Sequence, residues 1–298
     1  MMCDTTKMTT IISWNVNGLR SNILNKPDEK YRPRQVKGQL TPFKIDPDSN
    51  FARMVAEYKP DIVCLQETRC DQKVFDAIVD ETTDLSYRYL NYSKNPARGR
   101  GSGYSGTAVF SRTEPINVMN GLPSLLSTNP DHPDEGRVIT VEFDTIFVVN
   151  VYTPNSGTNE DFRINTWDPA MLKHLQQLKT TGKDVVIVGD MNVCREEIDI
   201  FSGFPNESQR IAGLLPEERI GITKYIEAGF VDSYRHLHPD EDEGFTWWNP
   251  RIKQFRQANK GWRLDYGLVT DIEKCESSEI VAEVMGSDHC PIVLKMRI

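Results

Sequence analysis

The feature that most constrains this chain is a short, β-branched apolar run that stops on a carboxylate or carboxamide and recurs in both halves. Residues 10–14 (TIISW) run into Asn15, residues 62–66 (IVCLQ) into Glu67, and residues 185–189 (VVIVG) into Asp190. Runs this short and this apolar read as strands covered on both faces, not as helices. Strand ends of this kind can deliver polar side chains into a single pit.

Further strands are predicted at 87–92, 106–110, 137–142, 146–151, near 231 and 245, and at 264–269 and 292–296. Between them, Asp48 or Ser49 can cap a helix reaching Tyr58, in which Phe51, Met54, Val55 and Tyr58 form one apolar face. Helices are also predicted at 72–79, 161–178 and 216–228. No repeat or Gly/Ser linker divides the chain. The expectation is an α/β fold: a short tail (1–8), then a single domain (9–298) of two packed sheets with helices outside. Residues 20–49 are rich in Lys, Pro and Asp without periodicity and read as a surface insertion.

Composition excludes several classes. Against 43 Asp plus Glu, the 35 Lys plus Arg leave a net charge of −8, which is not a general basic coat for nucleic acid. The six cysteines contain no CxxC pair, arguing against a disulfide scaffold or zinc finger. No signal peptide or membrane-length apolar run is visible, so an intracellular location is expected: nuclear if the source is eukaryotic, otherwise cytoplasmic.

Five strings carry the chemistry: SWNVNG, LQE, VYTPN, GDMN, and LDY with GSDH. Glu67, Asp190, Asp265 and Asp288 are hard oxygen donors or bases, and His289 is the one histidine among these strings. That set suits a hydrated divalent cation such as Mg²⁺ better than zinc. Any string alone is equally explained by a helix cap or an Asx-turn. Together they suit attack of water on a phosphodiester.

The strings SWNVNGLR, VCLQETRC, GYSGTAVF, VYTPNSG, VIVGDMN, GWRLDY and GSDHCPI resemble, in order and almost throughout the chain, the exonuclease III class of abasic-site endonucleases. The resemblance implies a four-layer α/β sandwich and Mg²⁺-dependent incision 5′ to an abasic nucleotide, with Mn²⁺ as a substitute. It also implies 3′-to-5′ exonuclease or 3′-end-trimming activity. Its substrates would be duplex DNA with abasic sites or 3′ ends, acted on by a monomer away from membranes. By the same resemblance Glu67 is the principal metal-binding carboxylate, Asn15 lies beside metal and phosphate, and Asp288 is a further carboxylate near the metal. Asp190 would orient or deprotonate the attacking water, Asn192 and Asn155 would hold phosphate, and Tyr152 would position the attack. His289 would contact a nonbridging oxygen, with Asp265 accepting its other ring proton.

For the substrate, two segments are locally basic. Residues 87–112 hold Arg88, Lys94, Arg98, Arg100 and Arg112 with no acid, and residues 251–263 hold Arg251, Lys253, Arg256, Lys260 and Arg263 with none. Arg98, Arg100, Arg256 and Lys260 are the candidate DNA contacts; solvated loops are the plain alternative. Trp247, Trp248, Trp262 and Leu264 can pack as core or line an apolar pocket. The resemblance points to Trp247, Trp262 and Leu264 as a pocket for a baseless sugar. Two departures stand out. Thr158 occupies a position where some eukaryotic relatives carry an Arg that enters DNA, leaving Arg163 to compensate. Asn17 replaces an Asp of some eukaryotic relatives. The rival readings are a same-fold RNA exonuclease or phosphomonoesterase, and a DNA-binding scaffold without catalysis.

Overall fold

In the first half of the chain four strands form where the β-branched runs lie: β1 (Met8–Asn15), β2 (Ile62–Gln66), β3 (Tyr87–Asn91) and β4 (Thr107–Ser111). Six follow: β5 (Asn117–Asn120), β6 (Val138–Glu142), β7 (Ile146–Tyr152), β8 (Asp184–Asp190), β9 (Val231–Asp232) and β10 (Asp265–Val269). The chain then returns to the first group with β11 (Cys275–Ile280) and β12 (Ile292–Arg297). The computed structural model describes residues 7–23, 35–36, 39–40, 42–81, 83–95, 104–126, 134–203 and 210–298.

These strands build two six-stranded mixed sheets, ordered β11-β12-β1-β2-β4-β3 and β9-β10-β8-β7-β6-β5. Alternation along each strand assigns its two faces. In β8, Val186 and Val188 join Ile11, Ile62, Cys64 and Val109 between the sheets, while Val185 and Ile187 face the outside helices. Four helices matter here: α1 (Leu19–Ile23), α2 (Asn50–Tyr58), α3 (Asp168–Lys179) and α4 (Pro216–Glu227). Phe51, Met54 and Val55 of α2 cover the first sheet, and Met171, Leu175 and Ile222 of α3 and α4 cover the second. The result is the expected four-layer α/β sandwich. Among the described residues no helix is long and apolar enough to cross a membrane.

Between the two helix caps open to the sequence, Ser49 is the one used, its side chain accepting from the Ala52 amide at 3.2 Å. Lys59, at φ 48°, ends the same helix. Several expectations change. The helix at 72–79 stops at Asp76, and Ile78–Val79 instead pairs with Phe43–Lys44 inside the segment read as a surface insertion. Ile45 of that segment is buried in the core. The helix at 161–178 is interrupted by a π turn, Arg163–Trp167. No regular strand forms at Phe245. β5 and β11 escaped notice because NVMN and CESSEI lack an apolar period, as suits their positions at sheet edges.

Register places the site. In the second sheet Tyr152 pairs with Asp190, and Asp190 with Asp265, so three functional side chains stand abreast on neighbouring strands. In the first, Asn15 pairs with Gln66, which puts Glu67 one residue past the strand end. A buried polar seam fastens the sheets beneath them. Gln66 Nε2 donates to Ser13 Oγ at 2.9 Å and to Asn150 Oδ1 at 2.7 Å, while Asn150 Nδ2 donates to the Leu65 and Ala108 carbonyls. Such bonds specify alignment in a way that interchangeable apolar contacts do not.

Gly189 is required immediately before Asp190. Its φ is 146°, and an added Cβ would lie 1.9 Å from the Val151 carbonyl oxygen on the paired strand. Gly189→Ala is expected to cost about 1–3 kcal/mol through overpacking of a backbone that cannot retreat. Urea unfolding checks this; an unchanged midpoint would refute it.

Candidate active site

The site lies where both sheets end. Asn17, Glu67 and Asn192 occupy left-handed backbone, with φ of 45°, 51° and 49°. For Asn this is a common turn conformation, but for Glu67 it is a strained one. Bonds from Gly18 N to the Glu67 carbonyl (2.8 Å) and from Leu19 N to the Thr68 carbonyl (3.0 Å) hold the two strand exits together.

Asn15 joins the halves. Its buried carboxamide donates to Glu67 Oε1 at 3.2 Å and to Asp190 Oδ2 at 3.0 Å, and its Oδ1 accepts from the Asn17 amide. Glu67 also accepts from the Tyr152 hydroxyl at 2.9 Å and pairs with Arg69. Asp190 is 1% exposed and accepts from the Asn192 amide at 2.8 Å. His289 Nε2 stands 3.8 Å from Asp190 Oδ2, and its Nδ1 lies 2.7 Å from Asp265 Oδ2. Asn192 Nδ2 donates to the Thr153 carbonyl at 2.8 Å, and the exposed Asn155 donates to Asn192 Oδ1 at 3.2 Å.

Burial, then Asp265 and Glu67, push Asp190 above the usual carboxylate range, with His289 opposing. Burial works against a charged His289, yet Asp265 and Asp190 together raise it above the usual imidazole range. The raised carboxylate is disposed to take a proton, and it faces an imidazole whose charged form Asp265 and Asp190 favour. Burial first, and then the Glu67 charge, drive the Tyr152 phenol well above 10.0. It therefore stays protonated and acts as a donor.

The donor chemistry fits Mg²⁺. Glu67 offers hard carboxylate oxygens, with Asn15 Nδ2 donating to it; among the described residues no group of three or more His, Cys, Asp or Glu that could hold a metal ion is found. A cation here would rest on one or two carboxylates and keep most of its water, as Mg²⁺ does.

Both Asp288 oxygens are engaged, Oδ1 by Asn17 Nδ2 at 2.8 Å and Oδ2 by the Trp247 indole N–H at 3.1 Å. Trp247 packs on Trp262 with ring centroids 5.2 Å apart, in an apolar cluster with Leu264, Cys194, Ile200, Ile211 and Leu214. Trp247 also bridges His289 by main-chain pairing, so the cluster adjoins the imidazole. Trp248 does not share it; its ring packs with Phe245 and Cys290.

Several basic residues serve the fold. Arg256 stacks on Trp248 at 4.6 Å and donates to the Ser287, Ala282 and Val284 carbonyls. Arg263, 0% exposed, is clasped by Asp199 and Asp232. Arg88 donates to the Ile78 carbonyl, Lys94 pairs with Asp134, and Arg112 pairs with Asp84. Lys260 lies over the Phe201 ring, while Arg251 and Lys253 are exposed. Arg98 and Arg100 lie outside the described residues. Arg163 cannot stand in for the arginine replaced by Thr158. It is buried, paired with Asp168 at 2.8 Å, and donates to the Pro154 and Met191 carbonyls, tying together the loops that carry Asn155 and Asn192. Sequence reasoning also missed Arg137, whose guanidinium lies 4.7 Å from the Tyr152 ring and bonds the Tyr104 hydroxyl at 2.6 Å. A basic residue leading into a strand was its sole signal.

A buried His–Asp pair opposite a second carboxylate, beside hard oxygen donors at the rim of two sheets, defines a phosphoester-hydrolysing site of the four-layer class. Residues 12–289 match the endonuclease/exonuclease/phosphatase family. The chain is 39% identical over 293 residues to an exodeoxyribonuclease of Bacillus subtilis, covering 97% of this chain and 99% of that protein. It is 36% identical over 289 residues to the DNA repair nuclease APEX1 of Danio rerio, covering 95% and 81%. The crystal structure of an AP endonuclease from Leishmania major superposes with a TM-score of 0.78 at 28% identity, covering 99% of this chain and 89% of that one. The chain belongs to the endonuclease/exonuclease/phosphatase family, in its exonuclease III class of abasic-site endonucleases.

Proposed function

We propose that this enzyme is a Mg²⁺-dependent DNA-repair endonuclease that hydrolyses the phosphodiester 5′ to an abasic nucleotide. The products are a 3′-hydroxyl and a 5′-deoxyribose phosphate, with exonuclease or 3′-end trimming as a second activity. The observation that supports this reading is the apolar cluster of partly exposed Trp247 with buried Trp262 and Leu264, whose Trp247 is bridged to His289 by main-chain pairing, beside the phosphate chemistry. The exodeoxyribonuclease, repair-nuclease and AP-endonuclease relatives support it.

Asp190 takes the proton of the attacking water, its burial having raised its appetite for one, and as water adds to phosphorus the P–O3′ bond breaks and the leaving 3′ oxygen takes a proton from solvent. His289, oriented and kept charged by Asp265, donates from Nε2 to a nonbridging oxygen as negative charge grows there. Asn192 and Asn155, joined by their hydrogen bond, hold the phosphate against rotation. Tyr152 steadies Glu67, and Glu67, beside Asn15, would hold the cation. A bound Mg²⁺, or Mn²⁺ in its place, supplies positive charge to the phosphate oxygens.

An end-labelled duplex with one abasic analogue tests this, alongside intact duplex, RNA and a soluble inositol phosphate. Expected is a single incision 5′ to the lesion, abolished by EDTA and restored by Mg²⁺. Turnover confined to RNA or the inositol phosphate would instead establish the same-fold rivals, and lesion binding without incision would establish the scaffold.

A further inference from the structure

We propose that Asp288 is a positioning residue for the sugar pocket, holding the Trp247 indole by its N–H. The inference rests on the endonuclease reading for its substrate.

Each Asp288 oxygen has a hydrogen-bond partner. Oδ2 accepts from Trp247 Nε1 at 3.1 Å, and Oδ1 accepts from Asn17 Nδ2 at 2.8 Å and from Ser287 Oγ at 3.4 Å. The surrounding main chain is pinned to the same strand bridge, because the Asp288 carbonyl accepts from the Trp248 amide at 3.0 Å and Trp247 pairs with His289. The indole has one polar atom, and a charge-assisted bond to it selects one of the two ring orientations available about its outer torsion. That orientation sets the face Trp247 turns to the sugar, with Trp262 packed against it at 5.2 Å between ring centroids.

Asn17 makes this arrangement possible. As a carboxamide it can donate to Asp288, whereas an Asp at 17 would press a second carboxylate against the first. An unbroken chain of bonds therefore runs from Glu67 and Asp190 through Asn15, Asn17 and Asp288 to Trp247. The departure at Asn17 and the donor-bearing aromatic at Trp247 act as one device that couples the reacting end of the site to the pocket.

The test follows the indole N–H resonances of ¹⁵N-labelled protein without metal or DNA, with Trp247 assigned by its loss in Trp247→Phe. Asp288→Ala is expected to move the Trp247 resonance toward a weaker hydrogen bond, and Asp288→Asn, which keeps one acceptor, to move it less. With substrate, Asp288→Ala should lower the ratio of kcat/KM on abasic duplex to kcat/KM on an intact 3′ end by about tenfold, the scale of one bond to a charged group. In a Trp247→Phe background the same change should lower that ratio no further. A ratio left unchanged by Asp288→Ala, or an unmoved Trp247 resonance, would overturn the proposal. Failure of the wild type to incise abasic DNA would instead remove the endonuclease reading, and the resonance would still decide whether Asp288 holds the indole.

Discussion

Asp190→Asn is expected to lower single-turnover incision of an abasic duplex by about a hundredfold to ten-thousandfold, the range ascribed to a positioned general base, while leaving lesion affinity largely intact. The carboxylate accepts from Asn15 and the Asn192 amide, so a carboxamide at 190 fits the space but cannot accept a proton from water. The pH profile adds a second signature. Because burial raises the Asp190 pKa, the wild-type rate should climb as pH rises and Asp190 ionises. It should fall on the alkaline side as His289, itself raised by Asp265 and Asp190 against the pull of burial, loses its charge. Asp190→Asn should remove the acidic limb and keep the alkaline one. A variant with wild-type rate, or one retaining the acidic limb, would displace Asp190 as the base.

The largest expected loss of stability is that of Arg263→Ala. The guanidinium sits between two buried carboxylates, with Nε 2.8 Å from Asp199 Oδ1 and Nη2 2.7 Å from Asp232 Oδ2, and its carbon is 4.2 Å from the Tyr266 ring centre. Removing it leaves both acids in an interior with Arg235 as the remaining cation on Asp199. Breaking a buried pair in this way costs about 3–5 kcal/mol. The pH dependence carries a sign. Burial would raise Asp199, but Arg263 and Arg235 outweigh it and lower the folded-state pKa below 3.8. Asp199 therefore stabilises the wild type above the ordinary carboxylate range, and that contribution is lost as pH falls through the depressed value. The gap between wild type and variant should be widest near neutrality and narrow on acidification. Denaturant titrations at several pH values check this; a gap under about 1 kcal/mol at neutrality would contradict the accounting.

Much of the fold was legible because its strands are local. β2 and β8 are buried on both faces, so each appears as an unbroken apolar run, and the polar residue that ends it is where the chain meets the site. The edge strands β5 and β11 were not legible, since an edge exposed to solvent has no apolar pattern to show. The π turn was hidden for a different reason. Its apolar spacing continues that of α3, and what marks it is the inward turn of Arg163.

The sequence by itself determined which residue types stand at the strand ends: Asn15, Glu67, Tyr152, Asp190, Asp265 and His289 are each set by the run before or beside them. Only the tertiary structure decided what the remaining polar residues do. Arg263 belongs to a basic segment in sequence, yet it meets Asp199 and Asp232 at separations of 64 and 31 residues and becomes part of the core. Arg256 is spent on carbonyls and Arg163 on two loops, and Asp288 accepts from an indole 41 residues away. A charge reads the same in sequence whether it will face water or a buried partner. Its role is set by the energy of the group it meets after folding, and that group arrives from a distant part of the chain.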